Sequence, residues 1–247
     1  MSRLQRLPDF SYEKKLWRQG YEIIIGIDEV GRGSFAGPVV AAAVAWPPKF
    51  KIENLKLKIG EDLEINDSKQ LKPKEREKLS VIIKEEALAW DITEVGVSVI
   101  NRIGIGKATE KAMRKAIADI AKLLIANCSK KQSTINYKQS NNMFVLVDGF
   151  HVKYLRGIGL KNQKGVIHGD QKSISIAAAS ILAKVHRDKL MQSLSKQSKY
   201  KKYGWEKNKG YGTKEHQNAI LKYGLTRLHR KAFVKTWEEK RRGEKHK

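Results

Sequence analysis

The chain has 247 residues, with 50 Lys plus Arg against 26 Asp plus Glu and a formal net charge of +24. That length fits one or two domains with a sizeable core, and so large a positive excess points to a polyanionic partner, nucleic acid first. A single cysteine, Cys128, excludes a disulfide framework and a Cys-based zinc site, and no apolar run approaches the ~18 residues of a membrane span, so a soluble cytoplasmic protein without membrane contact is expected.

Residues 1–20 are polar and basic and read as a short lead-in helix or arm; charges break up any secretory leader pattern. "EIIIGID" (22–28) is an Ile-rich run ending in Gly and Asp, the pattern of a buried strand. "GPVVAAAVAW" (37–46) predicts a second strand, stopped by Pro47 and Pro48. Residues 49–66 form a polar excursion without periodicity. In "NDSKQLKPKEREKLSVIIKEEALAW" a turn leads into a helix, with Pro73 in the first turn, where a missing N–H costs nothing. "DITEVGVSVI" (91–100) alternates with period two and predicts a strand. Ala112, Ala116, Ile120, Leu123 and Leu124 recur at helical spacings and predict a helix. "SKKQSTINYKQSNN" (129–142) reads as a surface loop, "MFVLVDG" (143–149) as a buried strand, and "GVIHGD" as another short strand. "SISIAAASILAKVHRDKLMQSL" predicts a long helix, apolar through its first half, and the last third mixes Lys with Tyr, Trp and Gly. The pattern is α/β: a sheet with flanking helices and a helical C-terminal extension.

Asp28 and Asp148 each close a predicted buried strand, and Asp170, in "HGDQKS", ends a third. In α/β sheets, sites lie where loops leave the strand ends. Like charges that converge raise each other's pKa, and a divalent cation relieves them. All-oxygen ligands suit Mg²⁺ or Mn²⁺, ions commonly used on phosphate esters. Neighbours on a strand point to opposite faces, so Asp28 and Glu29 should diverge. Either Glu29 is already leaving the strand, or one ligand is a backbone carbonyl. Asp170 alone would also serve as a cap for the following helix.

"GIDEVGRGSFAGPVVAAAV", "NDSKQL", "LVDG", "GDQKSISIAAASILAKVHRD", "GYGTKEH" and "GLTRLHRKAF" occur in the order seen in prokaryotic type 2 ribonucleases H. Over about residues 21–233 the sequence resembles the ribonuclease HII family. The resemblance implies a ribonuclease H-like fold, with a central mixed β-sheet flanked by helices. It implies an arm over 1–20, a catalytic domain over 21–195 and a basic helical extension over 196–247 that contributes to substrate binding. It implies an endonuclease that hydrolyses RNA in RNA–DNA hybrids and incises 5′ of ribonucleotides embedded in duplex DNA. Two metal ions, Mn²⁺ or Mg²⁺, would serve the hydrolysis, leaving a 3′-hydroxyl and a 5′-phosphate.

The family's four acidic residues map onto Asp28, Glu29, Asp148 and Asp170. Asp188, a rival for the fourth place, lies four residues after Lys184 and would pair with it on a helix surface. Gly31, Arg32 and Gly33 match the family's Gly-Arg-Gly loop, which resembles a 2′-hydroxyl reader; alone, the tripeptide reads as a tight turn. Tyr211 matches the tyrosine that packs on the sugar 3′ of the ribonucleotide. Ser180 and Lys184 share a helix face as phosphate contacts, and Asp67, Ser68 and Lys69 match a motif near the substrate. Lys196–Lys209 should hold phosphates non-specifically. A monomer is expected, with a replication clamp as a further partner. Two rivals are the sister enzyme ribonuclease HIII, which carries a larger N-terminal domain and another glycine loop, and a non-catalytic hybrid-binding protein.

Overall fold

A computed structural model describes residues 7–46, 65, 68, 70–128, 142–155 and 158–244. The predictions for Pro47 and Pro48, for 49–66 apart from Ile65, for Asp67 and Lys69, and for 129–141 lie outside these. The N-terminal helix is α1 (Ser11–Arg18), followed by strands β1 (Ile23–Val30) and β2 (Val39–Trp46). Helix α2 (Pro73–Glu86) precedes β3 (Ala89–Val95), and then come α3 (Val97–Ile103) and α4 (Ile105–Cys128). Strands β4 (Met143–Asp148) and β5 (Gln163–Val166) lead to the long α5 (Ile174–Ser195). Four more helices follow among the described residues: α6 (Ser198–Lys201), α7 (Trp205–Asn208), α8 (Lys214–Tyr223) and α9 (Lys231–Glu244). The five strands form one mixed sheet in the order β3-β2-β1-β4-β5, in which β1, β4 and β5 run parallel.

The chain divides into two compact units. One comprises Met1–Glu29, Ala41–Thr93 and Ala112–Val185; the other comprises Val30–Val40, Glu94–Lys111 and His186–Lys247. In the first, Ile24, Phe144, Leu146, Val166 and Ile176 pack together with Leu16. Gly26 shares the face of Ile24, and a methyl group there would overlap the backbone of Ser175. This glycine lets the start of α5 lie directly on β1. The same helix start receives a buried carboxylate, because Glu13 Oε1 accepts from Ser173 Oγ at 2.6 Å and from the Ser175 N–H at 3.0 Å. Burial pushes the Glu13 carboxyl above its ordinary pKa, against those hydrogen bonds.

The second unit has its own aromatic core, built on Trp205 stacked with Tyr200 at 4.9 Å and Tyr203 at 5.6 Å between ring centroids. The Lys–Tyr–Trp mixture of the C-terminal third is thereby sorted. Tyr200, Tyr203 and Trp205 are buried, while Lys199, Lys201, Lys202 and Lys207 are exposed. Two buried histidines join this core. Trp205 Nε1–H donates to His216 Nε2 at 3.0 Å, and the His216 Nδ1 lies 2.9 Å from the Tyr211 carbonyl. His229 Nδ1 accepts from the Thr226 N–H at 2.9 Å, so its Nε2–H faces His216 Nε2 at 3.1 Å. Both rings are neutral in this network, and burial pushes both pKa values down, that of His229 to about 4.

Two sequence expectations, on the strands read over 91–100 and in "GVIHGD", are corrected. The strand predicted over 91–100 ends at Val95, and Gly96 starts a helix instead. Thr93, Val95 and Val97 do alternate inward, but Val97 and Ile100 are buried at helical spacing, so one apolar series served two elements. Leu123 is 46% exposed beside the buried Ala116, Ile120 and Leu124, so the inward face follows the four-residue series and leaves Leu123 out. The strand read in "GVIHGD" lies earlier, at Gln163–Val166, and Asp170 sits in a single 3₁₀ turn, Gly169–Gln171, after a left-handed His168 (φ 54°).

Candidate active site

The register of β1 against β4 pairs Ile23 with Met143 and runs to Ile27 with Val147. One step further sets Asp28 beside Asp148, on strands about 4.8 Å apart. Gly26 and Asp28 share the face that α5 covers. Two strand residues span about 6.6 Å and five helical residues about 7.5 Å, so the helix that meets Gly26 at Ser175 brings Ser180 to Asp28. Asp28 is 5% exposed, and its carboxyl is held well above the ordinary aspartate pKa. Burial is the main cause, followed by the charges of Glu29 and Asp148. The Ser180 hydroxyl and the Glu29 N–H, 2.6 Å from Asp28 Oδ1, act in the opposite direction.

Asp148 is half-buried at the end of β4, and its Oδ1 accepts from the Gly169 N–H at 2.7 Å. A Cβ on Gly169 would come within 2.5 Å of Ile176 Cδ1 and 3.2 Å of Asp148 Oδ1, so a side chain there would have to displace the end of Ile176. Asp170 follows directly and is 3% exposed. Glu29 is half-buried and lies within β1, which continues to Val30. The first sequence alternative, a glutamate already off the strand, therefore does not hold.

Among the described residues, no three His, Cys, Asp or Glu side chains are already gathered tightly enough to hold a metal ion. The donors nevertheless suit a hard divalent cation: carboxylate oxygens and, at Glu29, a backbone carbonyl are all hard oxygen ligands, and Asp28 carries a repulsion from Glu29 and Asp148 that a cation would relieve. Mg²⁺ typically keeps several waters and takes one or two carboxylates plus substrate phosphate oxygens, which does not need a closed protein cage.

Ser180 and Ser68, read as substrate contacts in the sequence, are 5% and 3% exposed. Their hydroxyls meet at 2.9 Å, and Ser180 continues the chain to Asp28. Arg76 fixes this segment by donating to the Ser68 carbonyl at 2.8 Å and to the Leu71 carbonyl. Lys184 is half-buried on α5.

The second unit carries the other predicted contacts. Gly31 is buried with φ +88°, and Arg32 and Gly33 are exposed. Among the described residues, nothing stands within 4 Å of a Cβ placed on Gly33. Ser34 bridges Tyr211 in an isolated antiparallel pair, and the N–H groups of Phe35 and Ala36 donate to the Gly210 carbonyl at 2.8 and 3.0 Å. The glycine loop and Tyr211 thus belong to one hydrogen-bonded piece.

The profile of the family described as Ribonuclease HII matches residues 25–237. The chain belongs to the ribonuclease HII family. It is 43% identical over 223 residues to a Ribonuclease HII of Caldanaerobacter subterraneus, an alignment covering 90% of this chain and 78% of that one. A Ribonuclease HII of Caldicellulosiruptor bescii is 43% identical over 92% of this chain and 93% of its own length. Membership makes the chain a type 2 ribonuclease H. Solved structures share the fold: ribonuclease H2 from Pyrococcus horikoshii matches with a TM-score of 0.57 at 22% identity, covering 89% of this chain and 99% of that one. A Bst-RNase HIII in complex with Mn²⁺ matches with a TM-score of 0.61 at 21% identity, covering 89% and 70% respectively.

Sequence reading passed over Gly26, Gly169, Arg187 and Arg230. Nothing local distinguishes them, since their roles lie in what packs against them.

Proposed function

We propose that this protein is a metal-dependent endoribonuclease that hydrolyses the RNA of RNA–DNA hybrids and incises 5′ of ribonucleotides embedded in duplex DNA, acting as a cytoplasmic monomer. The observation that carries the chemistry is the carboxylate pair on adjacent parallel strands: Asp28, two residues before the end of β1, and Asp148 at the end of β4, with Glu29 next to them and Asp28 driven up by burial and by both neighbours. Asp28, Glu29 and Asp148 would hold Mg²⁺ or Mn²⁺, and Asp170 would complete the set. When bound, the ions supply a water activated at neutral pH and charge stabilisation of the leaving 3′ oxygen. The chain orients the donors: Ser180 directs the Asp28 carboxyl and the Gly169 N–H holds Asp148.

Specificity is assigned to Gly31, Arg32, Gly33 and Tyr211. Bare, exposed backbone at Gly33 admits a ribose closely, and the 2′-hydroxyl is the group that separates RNA from DNA at one sugar. The half-buried Tyr211 ring offers a face to the next sugar. The surplus of 50 Lys plus Arg over 26 Asp plus Glu supplies affinity for phosphates that falls steeply with salt. In an RNase HII from Archaeoglobus fulgidus the solved complex contains PCNA; a replication clamp is a candidate partner here too.

The deciding experiment uses a labelled DNA duplex with one ribonucleotide, with Mg²⁺ or Mn²⁺ and an EDTA control. One cut 5′ of the ribonucleotide, abolished by EDTA while the melting temperature stays constant, is expected. Cutting only of tracts of four or more ribonucleotides would overturn the assignment in favour of the sister enzyme's specificity.

A further inference from the structure

Two arginines of the second unit, Arg187 and Arg230, are 0% exposed. Arg187 donates from Nε to the Pro38 carbonyl at 3.1 Å, from Nη2 to Ala36 at 3.1 Å and from Nη1 to Lys209 at 2.9 Å. Arg230 donates from Nε and Nη2 to the Gly37 carbonyl at 3.0 and 2.9 Å, and from Nη1 to Arg32 at 2.8 Å. Every one of these acceptors is a neutral backbone carbonyl. Burying two like charges is unfavourable, and it shows: burial lowers both pKa values, and the charge of Arg187 helps bring Arg230 down to about 9, which leaves it charged at neutral pH.

A hydrophobic pair would fill the same space without that cost, but it could not tie separate backbone segments together. The guanidinium fork does so, because its donors diverge in one rigid plane. Arg187 reaches the 36–38 strand entry and the residue two before Tyr211, and its Cζ lies 5.4 Å from the Tyr211 ring centre. It also lies under the glycine loop. A Cβ on Gly31 would stand 2.7 Å from Arg187 Cδ and 2.8 Å from Cζ. Gly31 therefore does more than turn the chain; its missing side chain is the space Arg187 occupies. Arg230 anchors the next residue of that loop through the Arg32 carbonyl.

We propose that Arg187, backed by Arg230, is the positioning residue for sugar discrimination: it fixes the Gly31–Gly33 backbone and the Tyr211 ring at one spacing without touching the substrate itself. This rests on the assignment of that loop and Tyr211 as the sugar reader. Lysine keeps the charge but, as a single ammonium, loses the fork, so R187K and R230K isolate the geometry.

The test measures binding of the full chain in EDTA to two duplexes, one all DNA and one with a single ribonucleotide. The ratio of the two dissociation constants reports the reader alone. In R187K that ratio should fall by about fivefold to tenfold, the worth of one hydrogen bond to a hydroxyl, with all-DNA affinity held within about twofold. In a Y211A background, R187K should lower the ratio further by much less, as expected for residues acting through one another. A wild-type ratio in R187K overturns the proposal. So does an equal loss of affinity for both duplexes, which would mark Arg187 as scaffold only. If R187K does not fold, R230K must show the same fall in the ratio, and a wild-type ratio there, or failure of both variants to fold, overturns the proposal equally. A wild-type protein that binds both duplexes alike would instead overturn the sugar-reader assignment beneath it.

Discussion

Gly26→Ala adds one methyl group at the point where β1 carries α5. The new Cβ would sit against the Ser175 carbonyl carbon and oxygen well inside 3.0 Å, a separation real Cβ atoms essentially never show. Ordinary contact begins at 3.4 Å, so the helix start must retreat by about 1 Å, and no rotamer change relieves a backbone clash. Overpacking of this kind costs up to about 3 kcal/mol, which lowers the melting temperature of a chain this long by roughly 6–12 °C. The same retreat carries Ser180 away from Asp28, and a displacement of about 1 Å at a reacting centre costs on the order of 10²-fold in rate. Circular-dichroism melting and initial rates on the single-ribonucleotide duplex read the two effects separately. A variant that melts within about 2 °C of wild type and cleaves at the wild-type rate would refute the direct strand-on-helix contact.

Asp148→Asn keeps an oxygen for the Gly169 N–H but removes the charge, so kcat should drop by about 10³-fold or more with substrate affinity changed only a few-fold; equal losses in both would count against a role in turnover. Ser180→Ala strips the hydroxyl shared by Asp28 and Ser68, and an unpaired buried acceptor costs about 1–3 kcal/mol, read as roughly 5- to 150-fold in kcat/KM. An unchanged kcat/KM would remove Ser180 from the site. His229 titrates at about 4 in the folded chain against 6.5 unfolded, so below pH 6.5 the unfolded chain takes up a proton that the folded one refuses. Stability is therefore lost as pH falls from 6.5 to about 4, by at most about 3 kcal/mol from this residue, and changes no further from it below that. Denaturant titrations at pH 7, 5.5 and 4.5 measure the slope, and His229→Gln should flatten it; an identical slope in that variant would exclude the histidine as its source.

The sequence by itself determined the elements whose signal is local. The Ile run before Asp28 and the run before Asp148 read as buried strands, Pro73 could open a helix, and the series from Ala112 to Leu124 recurs at helical spacings, and each is found so. The acidic positions were legible because charges at the ends of apolar runs are conspicuous, and the ordered motifs placed the whole chain in its family. What only the tertiary structure decided depends on partners far apart in sequence. Parallel register sets Asp28 beside Asp148, 120 residues on, and no local pattern encodes register between strands so distant. Ser68 and Ser180 turned inward to each other and to Asp28, where the sequence offered only two hydroxyls near basic residues. Gly31 looked like turn chemistry, and Gly26 and Gly169 passed as parts of strands, yet beside each lies a neighbour in the space of its absent side chain: Arg187, Ser175 and Ile176. Arg187 and Arg230 read as two more cations in a chain of 50, and only packing shows that these two face carbonyls rather than phosphates. Composition reports that a charge is present; the fold decides whether water, a ligand or the backbone meets it.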